Sequence, residues 1–368
     1  MARSNGIVND VAMQGSGVYK RNSELQREGL LRALPLLQAA TEACSELGND
    51  LPRVVDYGAA HGNNSLLPLE TILSTTTSPR VLIELNDRPE NDFTTTAATL
   101  NEWQQKRNEQ SHTSNLYVGM IPRSFYQRVA PPQSIHLAYC FTAIHFFENL
   151  PHLPDGHFEP AMKDAVLEIQ RKQAQTDLQK FLSLRAEEIV PNGQLVLSIC
   201  ATGFGQPDFF SSGPGECIRL AMHEMYMDGT IDRNVLNKSA LPCYFRTLED
   251  VTHTLDDVRT RGCWDTISIS RAQVMHPAWG ILESQKTNGS YTREHSIQYA
   301  TAMIDWHTAV SAGYFIKAVK DGSIGCVGDD RALDLLEDMK RRASNIFHAK
   351  FKNAPVYGSF IYVHLQRK

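Results

Sequence analysis

Two carboxylates occupy positions in this chain where chemistry is done. Asp56 ends the β-branched run Val54-Val55 and is followed by Gly58 and Gly62, while Asp87 ends Val81-Leu82-Ile83-Glu84-Leu85-Asn86. A buried strand that ends in an acid, passes through a glycine turn and enters a helix at Asn64 is a nucleotide pocket in outline. The acid faces the electropositive side of a cofactor, and the helix start offers unpaired N–H groups. The glycine spacing narrows the choice of cofactor. A dinucleotide needs G-x-G-x-x-G so that pyrophosphate can reach the backbone, and a nucleoside triphosphate needs a glycine-lysine pair. Asp56-x-Gly58-x-x-x-Gly62 has neither, which disfavours both. S-adenosylmethionine, which carries a sulfonium instead of a phosphate, remains, with Asp87 as the acceptor for its ribose hydroxyls.

The elements that must position these acids can be read from the hydrophobic pattern. Strands are expected at Arg53 to Asp56, Val81 to Leu85, Asn115 to Val118, Ser134 to Cys140 and Gln194 to Cys200. Helical patterns alternate with them, which predicts crossovers and a mainly parallel sheet with helices on both faces. The longest crossover is a helix over Phe158 to Val190, stopped by Pro191-Asn192-Gly193 as a turn. After Cys200 the pattern changes to glycine- and proline-rich segments and a methionine-rich helix over Cys217 to Met227, the expected start of a cap. A helix over Thr247 to Val258 and a strand over Trp264 to Ser270 return to the core. His276 to Asp338 is mostly helical, and Gly358 to Leu365 is a closing strand.

With 368 residues, 42% of them hydrophobic, the chain suits one substantial core plus a sizeable insertion. A formal net charge of −5 with scattered basic residues excludes a nucleic-acid footprint and a polybasic membrane patch. Apolar runs such as Gln194 to Cys200 are too short for a membrane span, and the polar start Met1 to Asp10 carries no secretory signal. Seven cysteines without a C-x-x-C pair are expected as separate buried thiols in a reducing compartment, the cytoplasm by default. No histidine or cysteine spacing matches a standard metal site, so no metal is expected.

Ahead of the glycine turn, Met13-Gln14-Gly15 leads to Tyr19-x-x-Asn22-Ser23-x-x-Gln26, a polar set at helical spacing that can line a ligand. Further on come Asn86-Asp87-Arg88-Pro89-Glu90-Asn91-Asp92-Phe93 and Ile121-Pro122-Arg123-Ser124-Phe125-Tyr126-Gln127-Arg128. In these blocks, and in the Asp56-x-Gly58 turn with Asn64, the chain resembles the SABATH family of S-adenosylmethionine-dependent methyltransferases, which esterify small carboxylic acids or methylate ring nitrogens. The order and spacing agree over roughly the first two hundred residues, and the last third matches only in outline. The resemblance implies an α/β fold, a Rossmann-like class I methyltransferase sheet with a mainly helical cap formed by insertions. Its core would comprise residues 1–203, 246–275 and 350–368, and its cap residues 204–245 and 276–349. It also implies a homodimer.

Carried over residue by residue, the resemblance implies cofactor contacts from Tyr19, Asn22, Asp56, Gly58, Asn64, Asp87, Arg88, Ser124, Phe125 and Cys140. Ser124 and Phe125 would flank the adenine, one by a hydrogen bond and one by stacking. Tyr19, Gln26, Thr142, His145 and Phe146 would face the substrate, with the Gln26 amide N–H on its carboxylate. Phe146 stands where the family has a tryptophan, so one N–H donor is missing. Val18 replaces a serine, and Ala59-Ala60-His61 replaces a more polar turn. Gly213-Pro214-Gly215 replaces bulky residues ahead of the cap helix, where Arg219 adds a cation that a second carboxylate would suit.

A carboxylic acid with a pKa of about 4 is ionised at neutral pH and attacks a sulfonium methyl without a general base. The protein need only align the reacting atoms at about 3 to 3.5 Å in a dry pocket. The activity that the resemblance implies is carboxyl methylation of a small organic acid in specialised metabolism. Methylation of nitrogen or a phenol on the same scaffold, with His145 as base, and a catalytically silent homologue are the alternatives.

Overall fold

A computed structural model describes residues 7–8, 22–48, 51–109, 115–151, 164–202 and 213–368. Seven strands form one sheet: β2 (Arg53–Tyr57), β3 (Arg80–Asp87), β4 (Asn115–Pro122), β5 (Ile135–Phe141), β7 (Ile189–Ala201), β8 (Trp264–Met275) and β9 (Tyr357–Arg367). Two short strands, β1 (Ile7–Val8) and β6 (Asn149–Leu150), pair separately. The order across the large sheet is β4-β3-β2-β5-β7-β9-β8. β4, β3, β2, β5 and β7 run parallel, β9 runs antiparallel to β7, and β8 antiparallel to β9. The α/β class and the mainly parallel sheet expected from the sequence are both present.

The strand order reverses between β2 and β5, because β2, β3 and β4 step outward on one side and the chain then returns to the other side of β2. At such a switch point the loops leaving the carboxyl ends part and leave a crevice for a ligand. Asp56, Asp87, Ser124 and Thr142 all lie at or just beyond those ends.

The two faces of the sheet bury separate apolar clusters. Val54, Ile83, Leu137, Tyr139, Phe141 and Val196 face the helix Glu24–Ser45, and Val55, Tyr57, Cys140, Leu197 and Ile361 face the helix Asp164–Glu188. The first cluster runs on without a break into Cys217, Met222, Met303, Leu336 and Phe347. The helices Pro214–Met227, Arg293–Gly322 and Asp329–Phe351 thereby share their interior with one face of the sheet.

Several boundaries differ from expectation. Asn22 and Ser23 precede the helix Glu24–Ser45, so Asn22 and Gln26 do not share a helical face, and Tyr19 lies outside the described residues. Pro191-Asn192-Gly193 is not a turn between helix and strand but an irregularity inside β7. Ile135 pairs with Ile189 and Leu137 with Gln194, leaving extra residues looped out around Asn192 at φ +64°. The helix expected over Thr247 to Val258 is two helices, Leu248–Asp256 and Val258–Cys263, broken at Asp257, whose extended ψ and side-chain cap start the second. Among the described residues no helix is long and apolar enough to cross a membrane.

Candidate active site

A cavity of about 560 Å³ opens at the switch point. Its lining includes Asp56, Gly58, Asn64, Asp87, Arg88, Ser124, Phe125, Thr142 and Phe146, nine of the positions singled out in the sequence. They converge because the parallel strands β2 to β5 deliver their carboxyl-end loops to one edge of the sheet.

Asp56 is buried and accepts a hydrogen bond on Oδ2 from the Ser65 hydroxyl at 2.5 Å. Burial pushes its carboxyl up to about 7, with the neighbouring Ser65 and Tyr139 hydroxyls pulling the other way. A cation placed beside it would favour the ionised form. Asp87 accepts from the backbone N–H of Ala60 on Oδ2 and of Arg88 on Oδ1, each at 2.7 Å. Burial raises its carboxyl above the usual range, and these two N–H groups oppose the rise. Each oxygen keeps a further lone pair for a hydroxyl donor.

Gly58 has φ +83°, and a Cβ there would stand 2.3 Å from Cβ of Ala143, so the β2 and β5 loops touch through this glycine. Its N–H and that of Ala59 donate to the Asn86 carbonyl at 2.8 and 3.1 Å. Asn86 also donates from Nδ2 to the carbonyls of Ile121 and Arg123, fastening the end of β3 to the loop carrying Ser124. Asn91 donates to Ala60 O at 2.8 Å, and Asp92 accepts from Thr95 at the start of the helix Phe93–Glu109. The asparagine- and aspartate-rich string after β3 thus fixes the turn after β2.

Phe125 lies on the cavity wall against Tyr126 and edge-on to Phe181, with ring centroids 4.7 and 5.8 Å apart. Its backbone is held from behind. Arg185, fully buried, donates to Phe125 O at 2.7 Å and to Gln127 O at 3.0 Å. The same guanidinium pairs with buried Glu188 at 2.8 Å and lies 4.3 Å from the centre of the Tyr57 ring. Glu188 in turn accepts from Val129 N at 2.6 Å and from the Tyr57 hydroxyl at 3.0 Å.

Five positions fall elsewhere. Cys140 is a correction by parity. Side chains alternate along a strand, so Tyr139 and Phe141 reach the cavity while Cys140 packs on the opposite face among Val55, Tyr57 and Leu197. Burial pushes its thiol far up. His145 is buried beside Phe146 and Phe245, with ring centroids 4.4 and 5.4 Å away, and does not line the cavity. Burial, together with the Arg246 charge, lowers it to about 3. Arg219 sits partly exposed on the helix Pro214–Met227, away from the lining. Asn22 precedes the helix Glu24–Ser45 and is also outside the lining. Gln26 lies one helical turn before the cavity residue Leu30, and its Oε1 accepts from Trp306 Nε1 at 2.8 Å.

Residues missed in the sequence include Tyr139 and Ser65, which surround Asp56, and Arg185. Strand alternation from Asp56, whose register partner on β5 is Tyr139, is a signal that finds the first. Arg185 has a local partner in Glu188, but its bonds to the Phe125 and Gln127 carbonyls, like the Trp306 contact with Gln26, form across the fold and leave no local signal.

The residues present fit S-adenosylmethionine. Two acids stand at adjacent strand ends, the buried Tyr139 hydroxyl lies beside Asp56, a Cβ at Gly58 would crowd the crevice, and Phe125 supplies an aromatic wall.

Comparison with known proteins agrees. The family model of the SAM-dependent carboxyl methyltransferases matches residues 9–323. Methyltransferase LUC1 of Fusarium sp is 38% identical over 365 residues, covering 98% of both chains. O-methyltransferase acrG of Aspergillus aculeatus is 37% identical over 376 residues, again covering 98% of both. A solved structure of loganic acid methyltransferase with SAH superposes with a TM-score of 0.72 over 97% of this chain and 98% of the other, at 19% identity, and so shares the fold. The switch-point cavity, the paired acids and these similarities together establish that the chain belongs to the SABATH family of S-adenosylmethionine-dependent methyltransferases.

Proposed function

We propose that this methyltransferase esterifies the carboxylate of a small organic acid of specialised metabolism. When bound, S-adenosylmethionine supplies a methyl carbon on a sulfonium, open to in-line attack by a carboxylate oxygen. Asp56 would face the cationic side of the donor, Asp87 would accept from the ribose hydroxyls, and Ser124 and Phe125 would flank the adenine. The acceptor would lie toward Leu30, Phe141, Phe146 and Phe147, an apolar wall that suits a hydrocarbon body and keeps water out. The same reading takes residues 204–245 and 276–349 as the cap over the acceptor and the chain as a cytoplasmic homodimer.

The observation that carries the carboxylate reading is the state of His145. A phenol or ring nitrogen must lose a proton during methylation, and His145 is the base the sequence offers for it. In the fold this ring is buried, off the cavity lining and lowered to about 3, so it takes up a proton poorly at neutral pH. A carboxylate needs no such base. Incubation with methyl-labelled donor and benzoate, cinnamate, decanoate and succinate tests the proposal. Label released by mild alkali as an ester product supports it. Label found only in alkali-stable products of nitrogen or phenol acceptors overturns it.

A further inference from the structure

Beside the cavity, one helical turn before its lining residue Leu30, lies a hydrogen bond whose polarity is fixed by chemistry. Trp306, buried on the helix Arg293–Gly322, faces the Gln26 side chain with Nε1 2.8 Å from Oε1. An indole N–H only donates, so the amide atom opposite it must be the oxygen, whichever way the terminal group is first drawn. The NH2 of Gln26 is therefore turned away from Trp306. Gln26 is four residues before Leu30, and residues so spaced lie one above the other on a helix face. Leu30 lines the cavity.

The indole is itself held in place. The His276 imidazole packs edge-on against it, with ring centroids 5.3 Å apart and planes at 66°. His276 is fully buried, and its Nδ1 accepts from the Ala278 N–H at 3.2 Å. Trp306 reaches Gln26 from a helix remote in sequence, so the contact joins the cap to the leading helix of the core.

We propose that Trp306 is a positioning residue for the methyl acceptor: it locks the Gln26 amide so that its NH2, not its carbonyl oxygen, is offered to the acceptor carboxylate. This rests on the reading above, in which a carboxylate is the acceptor and Gln26 one of its neutral donors. Without the indole N–H the two amide orientations become similar in energy, and one of them sets oxygen against oxygen. In part, Trp306 restores from the cap what Phe146 removes from the β5 loop, by orienting a donor rather than supplying one.

The test uses the full chain and whichever acid of the four-member panel accepts methyl fastest. Trp306→Phe keeps the ring and removes the N–H. Its KM for the acid should rise at least fivefold, with donor affinity unchanged within twofold and the melting temperature close to wild type. Gln26→Ala should raise the same KM, and the double variant should be no worse than Gln26→Ala alone. Gln26→Glu keeps an oxygen for Trp306 and replaces the NH2 by a second oxygen, and should lose acid binding as severely. An unchanged KM in Trp306→Phe, multiplying penalties in the double variant, or retained acid binding in Gln26→Glu overturns the lock. An unchanged KM in Gln26→Ala instead removes Gln26 from the site, and absence of ester product from every acid overturns the carboxylate reading itself.

Discussion

The Ser65 hydroxyl donates to Oδ2 of Asp56 at 2.5 Å, joining the end of β2 to the residue just before the helix Leu66–Thr75. This bond and the Tyr139 hydroxyl only partly offset the cost of burying a charge there, so Asp56 stays raised to about 7. A carboxyl raised this far takes up a proton as the pH falls through about 7.

Donor binding should therefore depend on pH in a defined direction. A cationic donor binds the ionised form, so its affinity should be full above about pH 8. Because the raised pKa puts the free group in the protonated state below 7, affinity should fall roughly tenfold by pH 6. Calorimetric titration with S-adenosylmethionine across that range measures this, and Asp56→Asn should flatten the curve. A pH-independent affinity in the wild type would contradict the placement of the sulfonium side near Asp56.

Asp87 presents a carboxylate whose two oxygens are oriented by the Ala60 and Arg88 N–H groups. Asp87→Ala should weaken donor binding by roughly 1.5 to 3 kcal/mol, the range for a hydrogen bond to a charged group. Calorimetry that finds no loss would remove Asp87 from the ribose.

Gly58→Ala combines a left-handed backbone at φ +83° with a 2.3 Å collision against Ala143. The backbone strain alone costs roughly 1 to 2 kcal/mol, and the collision must push the β2 and β5 loops apart as well. The variant should lose donor binding and melt at a lower temperature. Wild-type affinity in Gly58→Ala would show that the turn has room the structure does not give it.

Arg185→Met leaves Glu188 buried without its cation and frees the backbone carbonyls of Phe125 and Gln127. Breaking a buried pair on one side costs roughly 3 to 5 kcal/mol. Urea unfolding should show a loss of that size, and donor affinity should fall further than for a core substitution of equal stability cost, because the Phe125 wall is released.

Most of the sheet was legible in the sequence because each strand carries its own apolar run bounded by turn residues. Asp56, Gly58, Asp87, Ser124 and Phe125 were legible because they end those runs and stand in recognisable strings. The errors have physical causes. Cys140, which the resemblance implies as a cofactor contact, falls one residue out of phase along a period-two strand whose both faces are buried, where the hydrophobic pattern gives no parity to correct it. Asn22 and Gln26 were placed on one helical face, but the helix begins only at Glu24. Gln26 therefore keeps its helix position while Asn22 does not. Arg219 sits on an amphipathic helix whose buried side is taken by Cys217, Ile218, Ala221 and Met222, and its spacing to the glycines could not say which way the helix would turn. The Arg185 and Trp306 contacts join residues separated by 60 and 280 positions from their partners Phe125 and Gln26, and are products of the tertiary fold.

The central claim is that the methyl donor lies across the carboxyl ends of β2 to β5. A crystal structure with S-adenosylhomocysteine tests it most directly. The account predicts the ribose hydroxyls on Asp87, the adenine against Phe125 and the sulfur between Asp56 and the apolar wall of Phe141 and Phe146. Density for the nucleoside anywhere else, or a crevice filled by side chains in the presence of saturating ligand, would contradict it.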